Sequence, residues 1–359
     1  MSTIPTLPGI TSVIVNTPRV STHVLRAGPP DGVPVVFVHG NGTTATFWEE
    51  TMLALPAGFQ GVAPDMRACG DTQPLPVDAT LGLGDMAEDV HAVVETLGLG
   101  RYHLVGHSLG GGIAMKCTIA HPAALRSLTL VGTMSPYGYS GSKDVDGTPC
   151  HEDGAPAGAA STNPEAVRLL AVGDRGMASP FSPRNVLRQL YVKPPFVPAR
   201  EEELLSAMLS LRLGPDWYPG DFVPSPHWPG AAPGPGGLVN AVSRRYFDAS
   251  ALADICPRPP ILWIRGAEDR MISNAAVLDI AALGAWGMVP GWPGAQECPP
   301  QPMLDQIRAL LERYRANGGV FFEQIVVDSG HSPSLEKPDE FNAALHAFLR
   351  GALGRNREC

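Results

Sequence analysis

Several signals that identify common protein classes are missing from this 359-residue chain. Lys and Arg form no cluster, and the formal net charge at pH 7 is -9, which argues against a nucleic-acid-binding protein. No apolar stretch approaches the length of a membrane span. Residues 1–8 have neither a basic start nor an apolar run, so we expect no signal peptide and a cytoplasmic location.

Cysteine pairs of the kind that bind zinc or exchange disulfides are also missing. The six cysteines are widely scattered, without a C-x-x-C pair: Cys69, Cys117, Cys150, Cys256, Cys298 and Cys359. For a cytoplasmic chain this pattern predicts free thiols rather than disulfides or a zinc site.

The composition is that of an ordinary folded protein. Hydrophobic residues make up 44% of the chain and charged residues 17%. A chain of this length suits one large domain with an insertion or two modest domains.

Strand and helix patterns alternate along much of the chain. Residues 33–38 form a continuous apolar run, as a central strand covered on both sides requires. Later, Met86, Val90, Val93 and Leu97 fall on one face of a helix. The alternation predicts an α/β fold with a mostly parallel sheet covered by helices on both faces.

This alternation stops at about residue 134 and resumes after residue 254. The intervening residues are rich in proline and glycine. We predict that residues 134–254 form a cap inserted between two parts of one core domain, residues 1–133 and 255–359. Of its many aromatic side chains some line a pocket, and most form the insertion's own core.

A G-x-S-x-G motif runs from Gly106 to Gly110, between a β-favouring stretch and a segment that can form a helix. Such a junction places Ser108 in a strained turn, where side chains at the two glycines would collide with the neighbouring strand and helix. The amide of Leu109 would then face a developing oxyanion at the helix N-terminus. The alternative is a glycine-rich turn with an incidental serine.

A serine nucleophile needs a histidine base, and that base needs a carboxylate partner. His331 and Asp269 follow two later predicted strands, and parallel strands end along one edge of a sheet. We therefore predict a triad of Ser108, Asp269 and His331. Glu268 and Asp328 are alternative acids.

Five motifs appear in the order typical of one family. They are His39-Gly40-Asn41-Gly42, Asp65-Met66-Arg67-Ala68-Cys69-Gly70, Gly106-His107-Ser108-Leu109-Gly110-Gly111, Gly266-Ala267-Glu268-Asp269 and Gly330-His331. With them the chain resembles a serine-nucleophile α/β-hydrolase with a cap domain. The resemblance implies a mostly parallel sheet of about eight strands, selects Asp269 over Glu268, and assigns the second oxyanion amide to Asn41.

The resemblance implies that the chain hydrolyses an ester or lactone, forms an acyl-enzyme on Ser108 and needs no metal or organic cofactor. The few charges and many aromatics of the insertion suggest a mainly apolar, small to medium-sized substrate. One alternative is hydrolysis of a carbon–carbon bond in a vinylogous diketone. Another is a ligand receptor with little turnover. The opening His39-Gly40-Asn41 also resembles haloalkane dehalogenases, but Ser108 replaces their nucleophilic aspartate.

The remaining candidates have structural alternatives. We expect His39 and His107 to pack and hydrogen-bond within their own turns. Trp48 and Tyr137 are candidate pocket residues, with core packing as the alternative. Cys69 is either a reactive thiol or a buried, inert one. Residues 286–302 lengthen the connection before His331, and we expect them near the site or against the cap.

Overall fold

The computed structural model describes residues 4–352, so Cys359 and the first three residues of the N-terminal run lie outside the described part. An eight-stranded sheet forms its centre. In chain order its strands are β1 (Thr11–Asn16), β2 (Ser21–Ala27), β3 (Val33–Val38), β4 (Phe59–Pro64), β5 (Tyr102–His107), β6 (Leu125–Val131), β7 (Ile261–Gly266) and β8 (Phe321–Val326).

The strands lie in the order β1-β2-β4-β3-β5-β6-β7-β8. β1 and β2 pair antiparallel, and β2 also pairs antiparallel with β4. Every pairing from β4 to β8 is parallel. The predicted mostly parallel sheet of about eight strands is confirmed, and the carboxyl ends of β3, β5, β6, β7 and β8 share one edge.

Helices cover both faces of the sheet. They are α1 (Glu49–Leu53), α2 (Gly84–Thr96), α3 (Leu109–Ala120), α4 (Pro164–Ala171), α5 (Pro183–Val186), α6 (Glu201–Leu209), α7 (Leu238–Ala241), α8 (Ile280–Ala285), α9 (Met303–Ala316), α10 (Pro333–Glu336) and α11 (Pro338–Ala352). Short 3-10 turns occur at Ala45–Trp48, Ala79–Leu81, Pro122–Ala124, Ala159–Ser161 and Ser250–Asp254.

Alternate residues of β3 explain why that strand is apolar throughout. Val36 belongs to the core cluster that includes Met86 of α2 and Ile113 of α3. Phe37, its neighbour in sequence, belongs to the cluster on the opposite face, which includes Phe341 of α11. Because both faces are buried, the strand has no polar positions, as the sequence predicted.

The chain between β6 and β7 contains only short helices and short strands, which lie outside the central sheet. Its longest α-helix is α6, of nine residues. Its strands are two small ribbons, one antiparallel (Phe222–Pro224 with Ala231–Pro233) and one parallel (Leu213–Gly214 with Tyr218–Pro219). The division into a core in two parts and a cap over residues 134–254 stays a prediction.

The cysteine expectation is only partly met. Cys69, Cys117, Cys150 and Cys298 are free and buried. Cys256 is disulfide-bonded, so the prediction of free thiols is wrong at that position. Within residues 4–352, no helix is both long and apolar enough to cross a membrane.

Candidate active site

Ser108 lies at the junction between β5 and α3, in backbone geometry that few side chains adopt. Its φ is 55° and its ψ is -120°. A Cβ at Gly106 would lie 2.3 Å from the carbonyl oxygen of Gly110, and one at Gly110 would lie 2.4 Å from that of Val38. The close approach of strand and helix predicted from the motif is therefore present, and it permits only glycine at both positions.

Backbone hydrogen bonds fix this turn against β6. The Ser108 amide donates to the carbonyl of Val131 at 2.9 Å, and the Met134 amide donates to the Ser108 carbonyl at 3.2 Å. Leu109 begins α3, so its amide belongs to the first turn, which has no partner inside the helix. The helix dipole adds partial positive charge beside the Ser108 side chain.

His331 and Asp269 meet at the same edge of the sheet. Nδ1 of His331 lies 2.7 Å from Oδ2 of Asp269, and their side chains are 0% and 4% exposed. The other carboxylate oxygen accepts the amides of Met271 at 2.8 Å and Ile272 at 3.0 Å. Asp269 is thus fixed by two backbone donors, and it directs the Nδ1 proton of the imidazole toward itself.

With Nδ1 as the donor, Nε2 of His331 carries the lone pair that a general base needs. This nitrogen is buried and has no hydrogen-bond partner among the described residues, and Ser108 Oγ does not donate to it. Hydrogen bonds between catalytic groups are often long without substrate.

Neighbouring contacts bring the serine and histidine loops together. His107, adjacent to the serine, has Nε2 3.0 Å from the carbonyl oxygen of His331, and the two rings are 4.6 Å apart. A Cβ at Gly132, at the end of β6, would lie 2.9 Å from the same carbonyl and 3.4 Å from Oδ2 of Asp269. The three predicted triad residues therefore occupy one edge of the sheet.

The two alternative acids have another partner. Nζ of Lys193 lies 2.6 Å from Glu268 and 2.5 Å from Asp328. Lys193 and Lys337 together lower the pKa of Asp328 to about 2. The side chains of Glu268 and Asp328 are more than half exposed, whereas that of Asp269 is buried and contacts His331. The geometry favours Asp269 as the acid.

His39 holds the loop in which Asn41 lies. Its Nδ1 lies 2.9 Å from the Gly40 carbonyl, and its Nε2 accepts the Met66 amide at 2.9 Å. Burial lowers the pKa of His39, which keeps the ring neutral in this role. Oδ1 of Asn41 is buried and has no partner of standard hydrogen-bond geometry among residues 4–352, although the Tyr218 side chain interacts with that of Asn41.

His107 differs from the expectation that its hydrogen bonds stay within its own turn. Its ring nitrogen reaches the backbone of His331, 224 residues later. Burial, with a smaller contribution from His331, lowers the pKa of His107 to about 3. The neutral ring therefore donates from Nε2 to the carbonyl of the candidate base and acts on its position.

Sequence reasoning missed Glu336, which organises the loop around His331. The carboxylate accepts the Gly330 amide at 2.9 Å, the Ser332 amide at 3.2 Å and the Lys193 amide at 2.8 Å. It is 8% exposed. A Cβ at Gly330 would lie 3.0 Å from the Lys193 amide. No sequence signal identifies it, because its partners are backbone amides.

Tyr191 was also missed as a site residue, because nothing in the sequence separates it from the other aromatics of the insertion. It ends a π-helical turn, Leu187–Tyr191, a feature frequent at functional sites. Its hydroxyl donates to the carbonyl of Asn41. Its ring lies 6.1 Å from that of His331 in edge-to-face geometry.

The two candidate pocket residues are packed in other environments. Trp48 is 2% exposed and lies 5.1 Å from the ring of Phe37 in the core. Tyr137 is 5% exposed, with the guanidinium of Arg244 5.5 Å from its ring. The structure favours packing for both. Cys69 is 2% exposed, and burial raises the pKa of its thiol, which favours an inert side chain.

A cavity of about 580 Å³ lies beside Asp269. Its walls include Leu190, Lys193, Arg270, Trp286 and Gly330, whereas Ser108 is not among them. Trp286 begins the 286–302 stretch, and Pro290 of that stretch accepts the indole N–H of Trp228 at 2.9 Å. Residues 286–302 therefore lie both near Asp269 and against the 134–254 segment.

Part of the chain is similar in sequence to known proteins. A family profile described as the alpha/beta hydrolase fold matches residues 33–147. The 2-hydroxymuconate semialdehyde hydrolase of a Pseudomonas species is 30% identical over 128 residues, 33% of this chain and 45% of the relative. The chain spans less than half the length of the curated relatives it matches.

Solved structures are similar over nearly the whole chain. An esterase from Exiguobacterium antarcticum superposes with a TM-score of 0.58 and 17% identity, covering 95% of this chain and 100% of the esterase. An N-acyl homoserine lactonase superposes with a TM-score of 0.55 and 17% identity, covering 98% and 100%. At this identity the likeness establishes the fold.

Proposed function

We propose that this chain, which has the α/β-hydrolase fold, is a serine hydrolase that cleaves a carboxylic ester or lactone of small to medium size. The observation that carries the proposal is the 2.7 Å contact between His331 and Asp269 at the sheet edge where Ser108 is held in a strained turn. A strained serine beside an oriented imidazole is the arrangement that acyl transfer requires.

In the proposed reaction, Nε2 of His331 takes the hydroxyl proton of Ser108 while Oγ attacks the substrate carbonyl. The amides of Asn41 and Leu109 donate to the oxyanion. The imidazolium, stabilised by Asp269, then protonates the leaving alcohol, and an acyl group remains on the serine. Water deprotonated by the same imidazole attacks the acyl carbonyl, which releases the acid and restores Ser108. The scheme uses only these side chains and amides.

Two of the similar proteins support ester and lactone substrates, since one is named an esterase and another an N-acyl homoserine lactonase. The curated relative named 2-hydroxymuconate semialdehyde hydrolase supports a second candidate, hydrolysis of a carbon–carbon bond by the same residues. The reactions differ in the group that leaves: an alkoxide in the first and a carbanion in the second.

The test is a turnover screen over esters, lactones and a dienone acid, run with the wild-type protein and Ser108→Ala. We expect ester or lactone turnover that falls at least about 10³-fold in the variant. The matched control is Ser332→Ala, because Ser332 is buried next to His331 and its hydroxyl has no hydrogen-bond partner in the described structure. This control should retain wild-type turnover.

Three results would contradict the proposal. Equal rates in the wild type and Ser108→Ala would remove the nucleophile. Turnover of the dienone acid alone would select carbon–carbon hydrolysis. Stoichiometric labelling by a fluorophosphonate without turnover of any substrate would indicate a receptor.

A further inference from the structure

Two histidines of the 134–254 segment meet a glutamate of the 286–302 stretch at a place that the proposed chemistry does not use. The imidazoles of His151 and His227 are stacked, with ring centroids 3.8 Å apart and planes 9° apart. Nε2 of His151 lies 3.5 Å from Oε1 of Glu297. One nitrogen from each imidazole and one Glu297 oxygen lie within 4.8 Å of one another.

We propose that His151, His227 and Glu297 bind a Zn²⁺ ion, which ties the 134–254 segment to the 286–302 stretch. Imidazole nitrogen and carboxylate oxygen are ligands that zinc accepts together, commonly with water in the fourth position. This site is independent of the hydrolase chemistry proposed for Ser108.

The donor-atom distances fit zinc, but at least one of the two stacked imidazoles must turn, because parallel rings direct their nitrogen lone pairs along parallel lines rather than toward one ion. Ligand atoms at zinc bond lengths in a tetrahedral site lie about 3.4 Å apart. The His151 and Glu297 atoms already lie at 3.5 Å. The Glu297 side chain is 48% exposed, so its carboxylate has room to rotate toward the two rings.

The unpaired nitrogen of His151 is the second observation. Its side chain is 10% exposed, and Nε2 has no hydrogen-bond partner in the described structure, because the 3.5 Å contact lacks hydrogen-bond geometry. A buried polar atom without a partner costs free energy. A metal bond would satisfy this atom.

Hydrogen bonds from outside the proposed site fix the backbone at His227. The Asp153 carboxylate accepts the Ser225 hydroxyl at 2.6 Å, and the oxygen of that hydroxyl accepts the His227 amide at 3.0 Å.

The loops that carry the ligands are already held against each other. Cys150 and Cys298, each adjacent in sequence to a ligand, share a small buried cluster with Ala281 and the partly buried Trp228. The indole N–H of Trp228, next to His227, donates to Pro290. The loops are therefore in place, and zinc binding would reorient the ligand side chains rather than the backbone.

The test uses the full chain, reduced and free of metal, and titrates it with ZnCl₂ by calorimetry, with dialysis and elemental analysis for stoichiometry. We expect one Zn²⁺ per chain and a rise in Tm with zinc. His227→Gln and Glu297→Gln should each weaken binding at least tenfold and abolish the rise in Tm. Circular dichroism and the Tm without zinc would show that the variants fold.

Two controls separate this site from other zinc ligands. His91 and His121 form a second stacked pair, 3.6 Å apart, and Glu88 lies 2.9 Å from Nε2 of His121, but among residues 4–352 these three side chains do not bring their donor atoms within 4.8 Å of one another. His91→Gln should leave zinc binding unchanged. Cys298→Ser should also leave it unchanged. Absence of saturable binding, equal binding by His227→Gln, or loss of binding in Cys298→Ser would overturn the proposal.

Discussion

The sheet-forming parts of the chain and the 134–254 segment are stabilised in different ways. In the sheet, β3 and β5 pair in parallel over residues 35–38 and 103–106, and their apolar side chains belong to two core clusters. In the segment, individual polar side chains hold the loops. Asn240, fully buried, donates to the carbonyls of Asp221 and Gly236 and accepts the Ala159 amide. Regular elements place Ser108, Asp269 and His331, whereas side-chain hydrogen bonds hold the loops of the 134–254 segment.

The comparison predicts that the largest losses of activity come from the sheet edge. Asp269→Asn should lower kcat by about 10³ to 10⁴, because an amide cannot fix the tautomer of His331 or stabilise its protonated form. Unfolding measurements should give a stability close to the wild type. The readout is kcat on the best ester or lactone of the screen.

Glu268→Gln is the matched control for Asp269→Asn. Glu268 is the preceding residue in sequence but contacts Lys193 rather than His331. Its substitution should change kcat less than about twofold, since a single exposed ion pair contributes little. A larger loss in Glu268→Gln than in Asp269→Asn would reverse the assignment of the acid.

Most of the sheet edge could be predicted from the sequence. The apolar run of β3 and the glycines around Ser108 follow from local chemistry, because burial on both faces and close backbone contact each limit the permitted residues. Asp269 and His331 were predicted because each follows a strand and strand ends meet, and the family resemblance selected Asp269 over Glu268. Glu336 was missed because its partners are backbone amides, which carry no sequence signal.

The 134–254 segment could not be predicted in the same way. Its short elements lack a periodic pattern, and contacts such as Tyr191 with Asn41 join residues 150 positions apart. Trp48 and Tyr137 were chosen as pocket candidates from residue type and position, yet both pack in other environments. Aromatic residue type alone does not distinguish a residue near the site from one in a core.

Glu336 joins the two regions, because it binds amides of the His331 loop and the amide of Lys193. Glu336→Gln replaces one acceptor oxygen by a donor that faces these amides. We expect the free energy of unfolding to fall by about 2 to 3 kcal/mol. We also expect kcat to fall roughly tenfold with little change in KM, since His331 would shift by a fraction of an ångström.

Glu340→Gln provides the control for the Glu336 substitution. Glu340 is exposed in the first turn of α11, and its carboxylate accepts the Gln324 side chain at 3.2 Å. Neither stability nor kcat should change appreciably. A fall in stability without any fall in kcat for Glu336→Gln would mean that the carboxylate stabilises the loop without positioning the base.

The substitution with the smallest expected effect, Tyr191→Phe, tests whether the 134–254 segment contributes to the reaction. Tyr191→Phe removes the hydroxyl that donates to the Asn41 carbonyl, on the loop that carries the proposed oxyanion amide. One neutral hydrogen bond contributes about 0.5 to 1 kcal/mol, so kcat should fall about threefold. Tyr137→Phe, in the same segment but beside Arg244, should leave kcat unchanged. Equal kcat values for the two variants would show that the segment encloses the site without orienting its groups.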